Sequence, residues 1–217
     1  MLDPSGSLEI VGNVTPRYAP QLLREFGHIP NEDDMRPGDL VLFSALVPSK
    51  GSEKIISVQQ NGGFDAESAR WHHSALYLGD GEILEARPFG GVIISSLYDH
   101  VLENRLLFRR DVNRSVDEQW NICVQGMKEY GKSYSFWTVP LIYFHSKRGF
   151  WNRIPGQAAR IEMRRSRICS QLYYFAYTAA THNLLVKRPL SAIMPADLRH
   201  TTVLNNVNVR WKKIVST

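Results

Sequence analysis

The chain is poor in cysteine, with two among its 217 residues, Cys123 and Cys169. Two are too few for the disulfide framework of a small secreted domain, and no Cys/His cluster has the spacing of a zinc site, so free thiols and no metal or other cofactor are expected. No apolar run approaches the roughly 18 residues that a membrane-spanning helix requires. The N-terminus is acidic, contains Ser and Gly, and lacks the basic-then-apolar order of a signal peptide, which predicts a product made in the cytoplasm. Internal repeats and low-complexity segments are missing as well, so no stacked-repeat architecture is expected. Negative charge is in mild deficit: 21 Asp and Glu against 26 Lys and Arg leave a net charge of +5. The excess lies between Lys147 and Arg167, where Glu162 is the sole acidic residue. That imbalance favours an anionic partner, a cell-wall polymer or a phospholipid surface, and ranks nucleic acid last because no nucleic-acid fold motif accompanies it.

What is present is enough apolar sequence, 43% of residues, to bury a full core in one domain with irregular insertions. Residues 1–35 carry Pro4, Pro16, Pro20 and Pro30 and one short helical pattern, Ala19 to Phe26, which predicts an arm lying on a main domain of residues 36–217. Leu40 to Phe43 is a continuous apolar run entered from the turn Arg36-Pro37-Gly38-Asp39, the pattern of a buried strand. Residues 44–70 read as a long loop or an extra hairpin bordering a site. Short strands are expected at Val92 to Ile94 and Arg105 to Arg109. Ser115 and Glu118 form a capping box that opens a helix to Tyr130, with Val116, Trp120, Cys123 and Met127 expected on its buried face. An aromatic and basic insertion occupies about 135–165, read as packed core or as a groove wall. A second helix spans Ser166 to Ala180 with Ser166 as its N-cap, Met194 to Leu198 forms a turn with a short helix, and Val207 to Val215 adds a last strand. The fold class is α+β.

Residues 71–86 organise the rest. Two alternating strands flank Gly79-Asp80-Gly81, a strong hairpin signal. Because side chains alternate across a sheet, loop length decides which of His72 and His73 shares a face with Glu85. A two-residue loop selects His72. A three-residue loop with Gly81 left-handed pairs Ala75 with Glu85, sets His73 opposite Arg87, and places His73, Ala75, Tyr77 and Glu85 on one face. Glycines at both ends favour the longer loop, which makes Glu85 diagonal to His73 and able to orient its ring. Cys169 falls in the first turn of the second helix, where free N-H groups and the helix dipole stabilise a thiolate. Thiol, imidazole and carboxylate are together the parts of a cysteine hydrolase.

The order Gly38-Asp39-Leu40-Val41-Leu42-Phe43, then His73-Ser74-Ala75-Leu76-Tyr77-Leu78-Gly79-Asp80-Gly81 closed by Glu85-Ala86, then Cys169-Ser170-Gln171-Leu172-Tyr173, resembles the permuted branch of the NlpC-type papain-like cysteine hydrolases. The resemblance covers about Arg36 to Leu198 and implies a small antiparallel sheet or partial barrel packed against the cysteine helix. It implies Cys169 as nucleophile, His73 as base and acid, and Glu85 as third member. Gly131-Lys132-Ser133-Tyr134 is similar to the family's Gly-Lys-x-Tyr element and makes Tyr134 a substrate-side candidate. Pro195-Ala196-Asp197-Leu198 is similar to its structural Pro-x-Asp-Leu turn. The implied activity is amide hydrolysis in peptidoglycan peptides. With no signal peptide, such an enzyme would need a dedicated secretion route, as an antibacterial effector does, with an immunity or delivery protein as partner. The rival expectations are a lipid acyltransferase or esterase similar to the lecithin:retinol acyltransferase relatives, and a non-catalytic binding module.

Overall fold

A computed structural model describes residues 1–15, 19–134, 166–188 and 190–215. Its centre is a six-stranded antiparallel sheet in the order β10-β7-β3-β4-β5-β6, built from β3 (Leu40–Ala45), β4 (His73–Gly79), β5 (Glu82–Arg87), β6 (Gly91–Ser96), β7 (Asn104–Arg110) and β10 (Asn205–Val207). The uninterrupted apolar run of β3 is explained by its position: it is an inner strand with both faces covered, and Leu40 to Phe43 are all buried. Leu40, Leu42, Leu76, Leu84 and Ala86 point to one face, against α4 (Val116–Met127) and α5 (Cys169–Thr181). Val41, Phe43, Ala75, Tyr77, Ile83 and Phe108 point to the other.

That second face is closed by the chain ends. Leu2, Leu23, Ile29 and Met35 from the arm and Val209 and Trp211 from the tail complete its apolar layer. The arm supplies β1 (Ile10–Val14), α1 (Gln21–Phe26) and β2 (His28–Pro30), and β11 (Trp211–Ile214) runs between β1 and β2 as the middle of a three-stranded sheet. The fold is therefore α+β, with α4 and α5 on one side of the main sheet and the two chain ends on the other.

Several elements differ from the sequence expectation. Residues 44–70 are not a loop or hairpin: 44 and 45 finish β3, and the rest carries two helices, α2 (Lys50–Asn61) and α3 (Ala66–Ala69). Ser49 and Ser52 cap α2 reciprocally, a box that lacks the usual Glu or Gln. The α4 capping box of Ser115 and Glu118 forms as read. The buried face of α4, however, is Gln119, Ile122, Cys123 and Gly126, while Val116, Trp120 and Met127 are exposed at 60%, 50% and 38%. The physical reason is side-chain size. A Cβ on Gly126 would stand 2.5 Å from Leu76 and 3.6 Å from Ala176, so the small residues turn inward to let helix, helix and sheet approach closely. Ser166 does not cap the second helix: Ser166–Arg167 is β9, paired with β8 (Ser133–Tyr134), and Ile168 is the N-cap. The short helix after Met194 is α6 (Pro195–His200), and the last strand is split into β10 and β11. The groove-wall expectation for about 135–165 lies outside the described residues.

Candidate active site

The hairpin of β4 and β5 takes the three-residue form. Gly79, Asp80 and Gly81 all have positive φ, with Gly81 at +73°, and the register pairs Ala75 with Glu85. His73 and Glu85 consequently meet on one face, with His73 Nε2 2.7 Å from Glu85 Oε2. Phe43 packs beside the imidazole at 5.1 Å between ring centroids, which limits its rotation.

Glu85 is buried at the middle of a polar cluster. Its Oε1 accepts from Arg87 Nη2 at 2.7 Å and from Ser95 Oγ, and His100 Nε2 stands 3.2 Å away. Burial alone would push this carboxyl up. The hydrogen bonds and charge of His100 and His73 more than reverse that and hold it well below the usual carboxylate range. Glu85 is therefore a fixed anion behind the ring.

Cys169 is the first residue of α5 and is 5% exposed. Ile168 offers no side chain to cap the helix, and the first helical bond runs from Leu172 N-H to the Ile168 carbonyl. The N-H groups of the first turn are thus left for negative charge at the thiol. The Cys169 thiol also interacts with the imidazole of His73 and with Ser74. Since Glu85 takes Nε2, the thiol belongs to Nδ1. For Cys169, burial raises the pKa, but the charge and hydrogen bond of His73 and the contact with Ser74 bring it below the ordinary thiol value. For His73, burial disfavours the cation, yet Cys169 and Glu85 outweigh it and raise the ring to about 10. Both shifts run in the direction that favours a thiolate facing an imidazolium.

The neighbouring candidates separate cleanly. His72 is lowered to about 4 by burial and by repulsion from His73, so it is neutral at pH 7 and takes no part in the Glu85 cluster. Cys123 is buried, its Sγ lies 3.5 Å from the Tyr77 carbonyl, and burial pushes it up to about 12, which makes it an inert core thiol. Tyr134 packs against the main helix-side core and against the small cluster of Val58, Ile168 and Met194, and its hydroxyl pKa is raised by burial and by the charge of Cys169, which places it near the thiol. Of the residues that the sequence singled out, Cys169, His73, Glu85 and Tyr134 converge on one locality.

Arg87, Ser95 and His100 were not singled out. Arg87 was legible in part, since the hairpin register sets it opposite His73. Ser95 depends on the pairing of β5 with β6, and His100 on a turn beyond β6, for which no local pattern speaks. Among the described residues, no group of three or more His, Cys, Asp or Glu side chains could hold a metal ion, and no helix is long and apolar enough to cross a membrane. No protein-family model matches the chain, and no curated protein matches it in sequence.

Proposed function

We propose that the protein is a cysteine hydrolase that cleaves an amide bond through Cys169, His73 and Glu85, on a circularly permuted papain-like, NlpC-type fold. The observation that carries the reading is the meeting of the Cys169 thiol, at the first position of α5, with the imidazole of His73, whose Nε2 lies 2.7 Å from buried Glu85. A buried core cysteine has no use for such partners, as Cys123 illustrates.

In this reading the Cys169 thiolate attacks the amide carbon, and the carbonyl oxygen becomes an oxyanion. The Cys169 backbone N-H at the uncapped start of α5 faces that charge, and a donor of this kind lowers the barrier by on the order of 3 kcal/mol. His73 gives its Nδ1 proton to the nitrogen, the C-N bond breaks, and an amine leaves behind a thioester. The now neutral His73 takes a proton from water, the hydroxide adds to the thioester, and breaking of the C-S bond returns the thiolate, the imidazolium and a free acid. Glu85 holds the ring in one orientation throughout and stabilises its cationic form.

The substrate class that suits a basic chain with this site is the peptide part of peptidoglycan, with Tyr134 on the substrate side. A role as an exported antibacterial effector belongs to the same reading. Digestion of purified peptidoglycan by wild type, Cys169→Ala and His73→Ala, read by mass spectrometry, tests it. Fragments from wild type alone are expected and identify the bond; identical patterns from all three would sink the reading.

A second reading has one observation in its favour. Val116, Trp120 and Val124 leave an apolar strip exposed along α4, which suits an acyltransferase or esterase working at a lipid surface. Cys169-dependent release of fatty acid from phospholipid vesicles, with peptidoglycan left intact, would favour it.

A further inference from the structure

The residue that follows His73 carries a polar group for which the fold has no use. Alternation along β4 sets Ser74, paired with Leu42 and two residues before Leu76, on the sheet face that α4 and α5 cover, and it is wholly buried. Its hydroxyl has no hydrogen-bond partner among the described residues. The other buried serines among them are all engaged: Ser44 with Arg70, Ser52 with Ser49, Ser68 with Asp65 and Ser170 with the Ile193 carbonyl. A buried hydroxyl without an acceptor is destabilising, so the group that Ser74 does meet matters.

The backbone of Ser74 points the same way. Tyr77 makes both of its backbone bonds on the β3 side, N-H to the Asp39 carbonyl and carbonyl to the Gly38 N-H. Ala75 and His73, in step with it, therefore face β3, and Ser74 faces β5. The pairing of β4 with β5 stops at Ala75 and Glu85, one residue short of Ser74. Beyond that point the group that meets Ser74 is the Cys169 sulfur: the Ser74 N-H and hydroxyl both act on it, each in the direction that favours the thiolate. One residue thus offers two donors to one sulfur, and an anion there is the acceptor that the hydroxyl lacks.

We infer that Ser74 is a further catalytic residue, a two-donor cradle for the Cys169 thiolate. The inference rests on the cysteine-hydrolase reading proposed above. The negative charge leaves the sulfur when the thiolate attacks the amide carbon, and it returns when the C-S bond of the thioester breaks. Donors fixed on the sulfur therefore oppose the attack and favour the return, in which sulfur is the leaving group. What the site gains is a thiolate that forms at lower pH and a thioester that opens more readily to water.

The test is the pH dependence of iodoacetamide labelling at Cys169, read by mass spectrometry on full-length wild type, Ser74→Ala and Ser74→Gly. Both variants remove the hydroxyl and should raise the midpoint by about one pH unit, a tenfold gain in proton affinity. On the alkaline plateau they should react about threefold faster than wild type, because a more basic thiolate is the better nucleophile. The profiles should therefore cross, whereas a loosened fold changes the rate by one factor at every pH. A midpoint unmoved in both variants, or a uniform change of rate, would overturn the role of Ser74. The wild-type profile separates the two claims: a midpoint below the ordinary thiol value that both variants keep rejects Ser74 alone, whereas an ordinary midpoint in wild type rejects the hydrolase reading beneath it.

Discussion

At the scale of single residues, the two cysteines show how position decides chemistry. Both are buried and free, yet one thiol is pushed up to about 12 and the other drawn below the ordinary value by an imidazolium. Iodoacetamide at pH 7 is therefore expected to label Cys169 and spare Cys123. The rate at Cys169 should rise less between pH 7 and 9 than that of an ordinary thiol, because its pKa is drawn below the ordinary value and His73 keeps its proton to about pH 10. A steep rise over that range would instead indicate an ordinary thiol. Glu85 gives the matching stability prediction. Replacing it by Gln leaves Arg87 and His73 facing a neutral group in a buried cluster and should cost about 3 kcal/mol in urea unfolding at neutral pH. The folded pKa of Glu85 is lowered, so its contribution is present above the ordinary value of 4.5 and is lost only as pH falls through the lowered one. The gap between wild type and Glu85→Gln should hold at pH 5 and close only in strong acid.

At the scale of elements, the hairpin and the helix pair behave differently under sequence reasoning. The hairpin was legible because strand alternation has a period of two and the Gly-Asp-Gly loop allowed few choices, one of which places His73 with Glu85. The inner face of α4 was not, because a reading by apolar size chose Trp120 and Met127 where close packing needed Gly126. A glycine of another kind joins these elements. Gly91 opens β6 with φ +75°, and a Cβ there would lie 2.2 Å from the carbonyl oxygen of Lys132, just before β8. Gly91→Ala should destabilise by about 2 kcal/mol or more, from the left-handed backbone and a clash that no side-chain rotation relieves. Thermal unfolding measures this, and an unchanged midpoint would contradict the close approach of β6 and the Lys132 carbonyl.

At the scale of the whole molecule, the arm and tail complete the core. The face of the sheet that carries His73 and Glu85 also carries Val41, Phe43 and Tyr77, and the arm helps to cover it with Leu2, Leu23 and Ile29. Burying each such side chain is worth about 1.5–3 kcal/mol, so deletion of residues 1–35 removes a large share of a typical domain's stability. It also strips β11 of both neighbours. The truncated chain is expected to lose near-UV circular dichroism and to be cut rapidly by protease; a folded, resistant product would show that the arm is dispensable. The tail is tied in by Arg109, which donates to the carbonyls of Leu198, Arg199, Thr201 and Leu204 from a buried position on β7. The sequence by itself determined the strand run at Leu40, the hairpin with its loop, the α4 cap and a cysteine near a helix start, all features written within a few consecutive residues. Only the tertiary structure decided which face of α4 is inside, that residues 44–70 fold into helices, and that Arg87, Ser95 and His100 gather on Glu85. Those outcomes depend on packing between elements distant in the chain, where volume and unpaired polar groups must be matched across space and no local period records the match.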